Sequence, residues 1–288
     1  MLLMRRLMKN KGAIISLIVI ATYIIVGAFA PIFAPHNPTD VNVHEKFAGI
    51  SLTHLLGTDH LGRDILSRLI FAIRPSVIFV IFTLLVSVFI GMVVGFIAGY
   101  FRGWVDYIIM RICDIMLAFP SYVMTLALIA LLGVGLDTII IAFILTRWAW
   151  FCRVIRTSVM QYSDADHVKF ARTIGLSHFT IIKKHVLPLT MTDIAVIGSS
   201  SMCSMILQIS GFSFLGLGVK APTAEFGMMM NEARKVMFTH PEMMFAPGIA
   251  IVVIVLAFNF LSDALQVTID PRLAEERKPW FKKRGAVK

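Results

Sequence analysis

The chain has 288 residues, of which 58% are hydrophobic and 15% charged, and its mean hydropathy is +0.82. Soluble globular domains carry about 25% charged residues, so this composition excludes an ordinary soluble core-and-surface arrangement and makes lipid the solvent for much of the chain. The net charge of +10 does not indicate nucleic acid, because the basic residues gather beside apolar runs.

Apolar runs of about 20 residues mark membrane spans, since about 30 Å of hydrocarbon needs that many helical residues. The first covers residues 12–34, behind Arg5, Arg6, Lys9 and Lys11. Ala28-Phe29-Ala30 resembles a cleavage box, but the run far exceeds a signal-peptide core of about 7–15 residues and Pro31 follows the box; an uncleaved helix is expected. Pro35, His36, Asn37 and Pro38 then open a polar segment, 35–74, expected outside the membrane. The second run is 75–101, with Gly91, Gly95 and Gly99 on one face as a packing seam. The third is 115–136. Residues 138–158 form the least regular span, because Arg147 interrupts them. A charge at a span centre costs about 2.5–3.5 kcal/mol on insertion scales. Arg147 therefore either faces the translocation path or a partner, or snorkels to an interface where Trp148 and Trp150 anchor. Runs 194–219 and 243–262 complete six spans, an all-α membrane protein with one transmembrane domain over 12–262.

Lys and Arg set the orientation. Nineteen fall in segments 1–11, 102–114, 153–193 and 263–288, and seven in 35–74 and 220–242. Both termini are therefore expected in the cytoplasm. Residues 263–288 are read as the cytoplasmic C-terminal tail, of which Asp270 to Lys288, with Pro271 and Pro279, reads as a surface-bound or disordered end.

The segment 156–193 is far longer than the 2–8 residues that a plain helix–helix connection needs. Val168, Ala171 and Ile174 share a helical face and Gly175 ends that run; a second pattern runs through Phe179, Ile182 and Val186 until Pro188 stops it. Two short helices with a glycine corner are expected on the cytoplasmic side. Lys169, Arg172, Lys183 and Lys184 leave a lipid-surface hairpin as the bland alternative.

Residues that could carry chemistry are sparse. Cys113, Cys152 and Cys203 have no metal or disulfide spacing and read as packing residues. The 17 methionines, including Met228, Met229 and Met230, read as filler of loosely packed helices and not as a soft-metal relay. His36, His44, His54 and His60 lie in the segment 35–74 without helical i, i+4 spacing, so they are expected to be solvated and no metal site is assigned. No GxxxxGK[ST], HExxH or nucleophile elbow occurs, and Ser199, Ser200 and Ser201 lack a His or Asp partner in the spans. No catalytic residue, and no cofactor, is assigned. A gradient-driven carrier would need buried ionisable groups, for which only Arg147 qualifies.

Ala171, Gly175, Leu187 and Pro188 sit at the spacing of the EAA loop that marks permease subunits of ABC importers, with Lys169, Phe170 and His185 in place of that pattern's Glu, Ala and Ile. Leu56-Gly57-Thr58-Asp59-His60-Leu61-Gly62-Arg63-Asp64 resembles the outer-loop signature of dipeptide, oligopeptide and nickel permeases, as do Phe214-Leu215-Gly216-Leu217-Gly218 and residues 257–265. Arg147-Trp148-Ala149-Trp150 and the stretch 221–227 look closer to the nickel type. The resemblance implies a type I importer permease fold in a bacterial cell membrane. It implies a second homologous permease, two ATPase subunits that carry the ATP hydrolysis and an extracytoplasmic substrate-binding protein as partners, besides membrane lipid, with no nucleic acid. It also implies a coupling loop carrying Asp164, Lys169, Ala171, Gly175, Leu187 and Pro188. The cargo it implies is nickel or a metal–metallophore complex, with a dipeptide or oligopeptide as the alternative.

Overall fold

A computed structural model describes Leu7 and residues 10–269. The expectations for Arg5, Arg6, Lys9 and the tail from 270 onward lie outside the described residues. Helix α1 is Lys11–Ala28, followed by the short α2, Ala30–Phe33, which starts with Pro31 in its first turn. Helix α3, Ile65–Ile73, and α4, Phe79–Phe101, are joined through a wide π turn, Arg74–Ile78. Helices α5, Gly103–Ala118, and α6, Ser121–Leu132, precede α7, Leu136–Ser163. The short α8, Asp166–Thr173, and α9, His178–Ile181, lead through a second π turn, Ile182–Val186, into α10, Leu187–Phe214. Helix α11, Phe226–Arg234, and α12, Glu242–Ile269, end the described chain. Among the described residues five helical stretches are long and apolar enough to cross a membrane, and the bent pair α5–α6, taken as one span, makes the count six.

Four boundaries differ from the sequence reading. The segment 35–74 is not polar loop throughout: Asp64 accepts a hydrogen bond from the Ser67 N–H (2.7 Å) and starts α3 ten residues before Pro75. Pro75 then stays inside a continuous helix because the π turn gives the Phe79 N–H a partner in the Arg74 carbonyl. Pro188 likewise fails to stop its helix: the Leu187 N–H reaches back to the Ile182 carbonyl, and the widened turn makes room for the ring. The run 115–136 is no straight span. Pro120 forces Phe119 to extended φ/ψ, and α5 and α6 meet at 81°. Finally, α12 continues through residue 269, past the end of the apolar run at 262.

Helix α7 lies at the centre, against α4, α5, α6 and α10. The glycine seam explains the tightest of these packings. A Cβ on Gly91 would stand 2.6 Å from the Phe151 Cβ, one on Gly95 2.7 Å from the Cys152 carbonyl, and one on Gly99 2.7 Å from the Arg156 carbonyl. Small residues let the two backbones touch, as expected for an intramolecular seam. Ion pairs continue the contact where charge begins: Arg156 grips Asp106 and Arg153 grips Asp114, tying α7 to α5. The two helices at the chain ends also pair, with Leu7 and Ala13 against Ala264 and the Tyr23 hydroxyl donating to the Ala250 carbonyl at 3.0 Å.

Candidate functional site

The helical corner between α7 and α10 is built from local rules. Helix α7 ends at Ser163, and the carboxylate of the capping residue Asp164 meets Arg102 Nη2 at 2.8 Å. That hydrogen bond from Arg102 holds the Asp164 carboxyl below its ordinary range. Helix α8 then turns one face inward, with Val168 and Ala171 buried. It closes in a Schellman arrangement: the Leu176 N–H bonds the Ala171 carbonyl at 3.1 Å and the Gly175 N–H bonds the Arg172 carbonyl at 3.0 Å. Gly175 takes φ +79°, a conformation that L side chains resist by about 1–2 kcal/mol. Ser177 caps the following helix, accepting from the Thr180 N–H at 3.3 Å.

All six residues expected in the coupling loop thus lie on one corner. Ala171 faces in, Lys169 points out beside Asp166 at 3.6 Å, Gly175 makes the bend, and Leu187 and Pro188 open α10. Ile174 departs from the expected face: it caps α8 and is 58% exposed. Phe170 and Phe179 are also exposed, at 66% and 73%. With Leu176, at 37%, four large apolar side chains therefore stand outward among charged and polar ones. Sequence reading missed what pins this corner to the bundle: Tyr100 at the end of α4 exchanges a 2.9 Å hydrogen bond with His178 Nδ1, and the Arg172 guanidinium lies 5.4 Å over the Tyr100 ring. No linear signal joins residues 78 positions apart.

Arg147 is half-buried on α7. Its guanidinium bonds the Gln208 side chain of α10 and lies 5.9 Å from the centre of the Phe143 ring. The guanidinium thus hydrogen-bonds a neutral amide of the same bundle, as a charge within a span usually faces protein.

The opposite end of the bundle carries a cluster that sequence reading did not anticipate. Arg63 and Arg68 are each 2% exposed, and both bind Asp59 and Glu232. Arg63 Nε to Asp59 is 2.7 Å, Arg63 Nη2 to Glu232 is 2.9 Å and Arg68 Nη1 to Glu232 is 2.7 Å, so the 35–74 segment is locked to α11. Burial alone would raise the Asp59 carboxyl, but the two guanidinium groups and the Leu61 and Arg63 N–H groups outweigh it and hold it low. Gly62 permits the turn, since at φ +76° its Cβ would stand 1.8 Å from the Asn42 carbonyl. Nearby, Glu225 is fully buried, taking hydrogen bonds from Ser76 (3.0 Å), Ser210 (3.3 Å) and the Met228 N–H (2.9 Å). The segment's histidines are not all solvated: His54 is 9% exposed and bonded to Asp64 at 2.9 Å.

Residues 91–275 match the family described as binding-protein-dependent transport system inner membrane component, and residues 2–49 match the N-terminal transmembrane domain of oligopeptide transport permease C. The chain belongs to this permease family. Its residues are 67% identical, over 100% of this chain and 99% of the other, to the metal-staphylopine import system permease protein CntC of Staphylococcus aureus. They are 37% identical to the nickel transport system permease protein NikC of Escherichia coli, over 91% and 95% of the two chains. They are 34% identical to the dipeptide transport system permease protein DppC of Alkalihalophilus pseudofirmus, over 93% and 88%. Among solved structures, a chain of the inward-facing MetNI methionine ABC transporter superposes with TM-score 0.56 at 13% identity, covering 70% of this chain and 96% of that one. The fold is that of a type I ABC importer permease, as the resemblance implied. The permease is a multi-pass inner membrane component of a transport system and not an enzyme.

Proposed function

We propose that this permease is one of two channel-forming subunits of an ATP-driven importer whose cargo is a metal ion held by a metallophore. The 67% identity to a metal-staphylopine import permease, kept across the whole chain, carries the cargo assignment. Nickel without that chelator, and a dipeptide or oligopeptide, are the competing cargoes, suggested by relatives at 34–37% identity.

The mechanism follows from the corner at 164–188. Exposed apolar side chains on a charged segment mark a surface built for another chain, and Phe170, Ile174 and Phe179 supply it. ATPase subunits on separate chains press there when they close on ATP. Tyr100 and Arg102 receive the motion through His178, Arg172 and Asp164, which link the corner to α4. Helix α4 is locked to α7 by the glycine seam, so a push on the corner tilts the central pair and changes access to the path. A substrate-binding protein delivers cargo at the opposite end, and both termini lie in the cytoplasm, in keeping with nineteen basic residues in the segments on that side against seven on the other. Arg147 positions α7 against α10 beside the path, and Arg147→Ala lowers uptake with the protein still inserted.

The test is uptake of radioactive nickel by cells with and without this gene, offered as the staphylopine complex, as the chloride or beside a peptide as sole source of a required amino acid. Loss of complex uptake alone supports the proposal. Loss of chloride uptake alone moves the cargo to free nickel, and loss of growth on peptide alone moves it to peptides.

A further inference from the structure

We propose that His36, His54 and Asp64 form a binding site for a divalent transition-metal ion, separate from any chelated cargo. The three side chains come from distant turns of the segment before α3, yet one donor atom from each lies within 4.8 Å of the others. The two imidazole rings face each other at 4.8 Å with a 34° tilt.

Hydrogen bonding decides which nitrogen of each ring can turn to an ion. His36 Nε2 is 2.9 Å from the Thr53 carbonyl, which only accepts, so Nε2 carries the proton and Nδ1 keeps its lone pair. Asp64 gives one oxygen to the Ser67 N–H at 2.7 Å, leaving the other beside His54 Nδ1 at 2.9 Å. By the same rule His54 Nδ1–H donates to Asp64 in the metal-free chain; two donors on one ion with bonds of about 2.1 Å stand roughly 3.0–3.4 Å apart, so an ion enters this pair by displacing that proton, with little movement of the heavy atoms. His54 Nε2 faces Glu45 at 3.6 Å, a carboxylate placed to take its proton-bearing side. Metal-bound histidines are oriented in this way, by a carbonyl or carboxylate on the second ring nitrogen. Two imidazoles and one carboxylate suit nickel, cobalt, zinc or copper and discriminate against magnesium and calcium. Access is open, because His36 is exposed and lines a cavity of about 730 Å³. Arg74, on the same cavity, is engaged by the Gly27 and Ala28 carbonyls at 2.8 and 2.9 Å.

The neighbouring group of Asp59, His60 and Glu232 has similar composition but the opposite electrostatics. Arg63 and Arg68 already occupy both of its carboxylates, and a dication there would sit against two guanidinium groups.

The test is equilibrium dialysis of the purified intact transporter, stripped with a chelator, against nickel chloride with magnesium in excess. The wild type is expected to hold one more nickel ion per complex than His36→Ala, or to bind that ion at least about tenfold more tightly. His36 is exposed, so this variant should keep the metal-free melting temperature. Equal stoichiometry and affinity in the two proteins overturn the proposal. His54→Gln gives the second reading: binding as in the wild type by a variant that still melts normally also overturns it. Uptake of the chelated metal is measured separately, so loss of the cargo assignment leaves this result standing, and the converse holds.

Discussion

The two ends of this permease use charge in opposite ways. At the end formed by residues 54–68 and α11, Asp59, Arg63 and Arg68 are each 2% exposed and every carboxylate of the cluster is bound by arginine. At the corner 164–188 the charged groups are open, Asp166 wholly so, and Phe170 and Phe179 stand out between them. Buried ion pairs have strict geometry and cost several kcal/mol when one partner is removed, whereas exposed pairs contribute about 0–1 kcal/mol. The first end is therefore built to hold still. The second keeps its shape through backbone capping, the buried faces of α8 and the Tyr100 contact, and leaves its outer surface for a partner.

The difference can be broken most severely at Arg68. Arg68→Met leaves Asp59 and Glu232 with one guanidinium, and unfolding in detergent should show a loss of about 3–5 kcal/mol; a melting temperature within a degree or two of wild type would mean that the cluster does not lock this end. Gly175→Asp should cost about 1–2 kcal/mol through its φ of +79°, yet abolish uptake while membrane insertion persists. Unchanged uptake would separate the corner from coupling.

The third prediction concerns pH. Burial holds the His60 imidazole below its ordinary value of 6.5, Asp59 and Glu232 pull it up, and Arg63 and Arg68 push it down again. The unfolded chain therefore binds a proton on His60 more readily than the folded one. Stability is unaffected above about pH 6.5 and declines as pH falls below it, until the folded imidazole also titrates. His60→Gln should flatten the melting temperature between pH 7 and pH 5, and an unaltered slope would assign it to other groups. The smallest effect on stability belongs to Phe179→Ser: an exposed side chain changes stability by about 0.5 kcal/mol or less, while ATP-dependent uptake should fall. A variant that transports normally would remove Phe179 from the docking surface.

Much of this architecture could be read before folding. Apolar runs announced the spans because hydrocarbon tolerates few charges, and the Gly91, Gly95 and Gly99 spacing announced a close helix contact that α7 supplies. The two-helix corner was legible for the same local reasons, a periodic face through Val168 and Ala171 and a glycine at the bend; its Ser177 cap was not read. The break at Pro120 was readable too, since a proline inside a span bends it, yet composition alone ran 115–136 together. Two other prolines misled in the opposite direction. Pro75 sits in a wide turn and Pro188 just after one, each turn keeping its helix continuous, and such a turn leaves no trace in residue pattern.

By itself, then, the sequence determined that the chain is helical, spans a membrane about six times and presents a particular corner, because solvent transfer and backbone propensity act over a few residues at a time. Only the tertiary structure decided which charged groups find a partner and which residue supplies it. Arg63 meets Glu232 across 169 positions and Arg147 meets Gln208 across 61. Likewise His36 meets His54 only when the segment before α3 folds back on itself. Side chains so far apart become partners through the packing of the whole bundle, since the energy of burying a charge depends on everything placed around it.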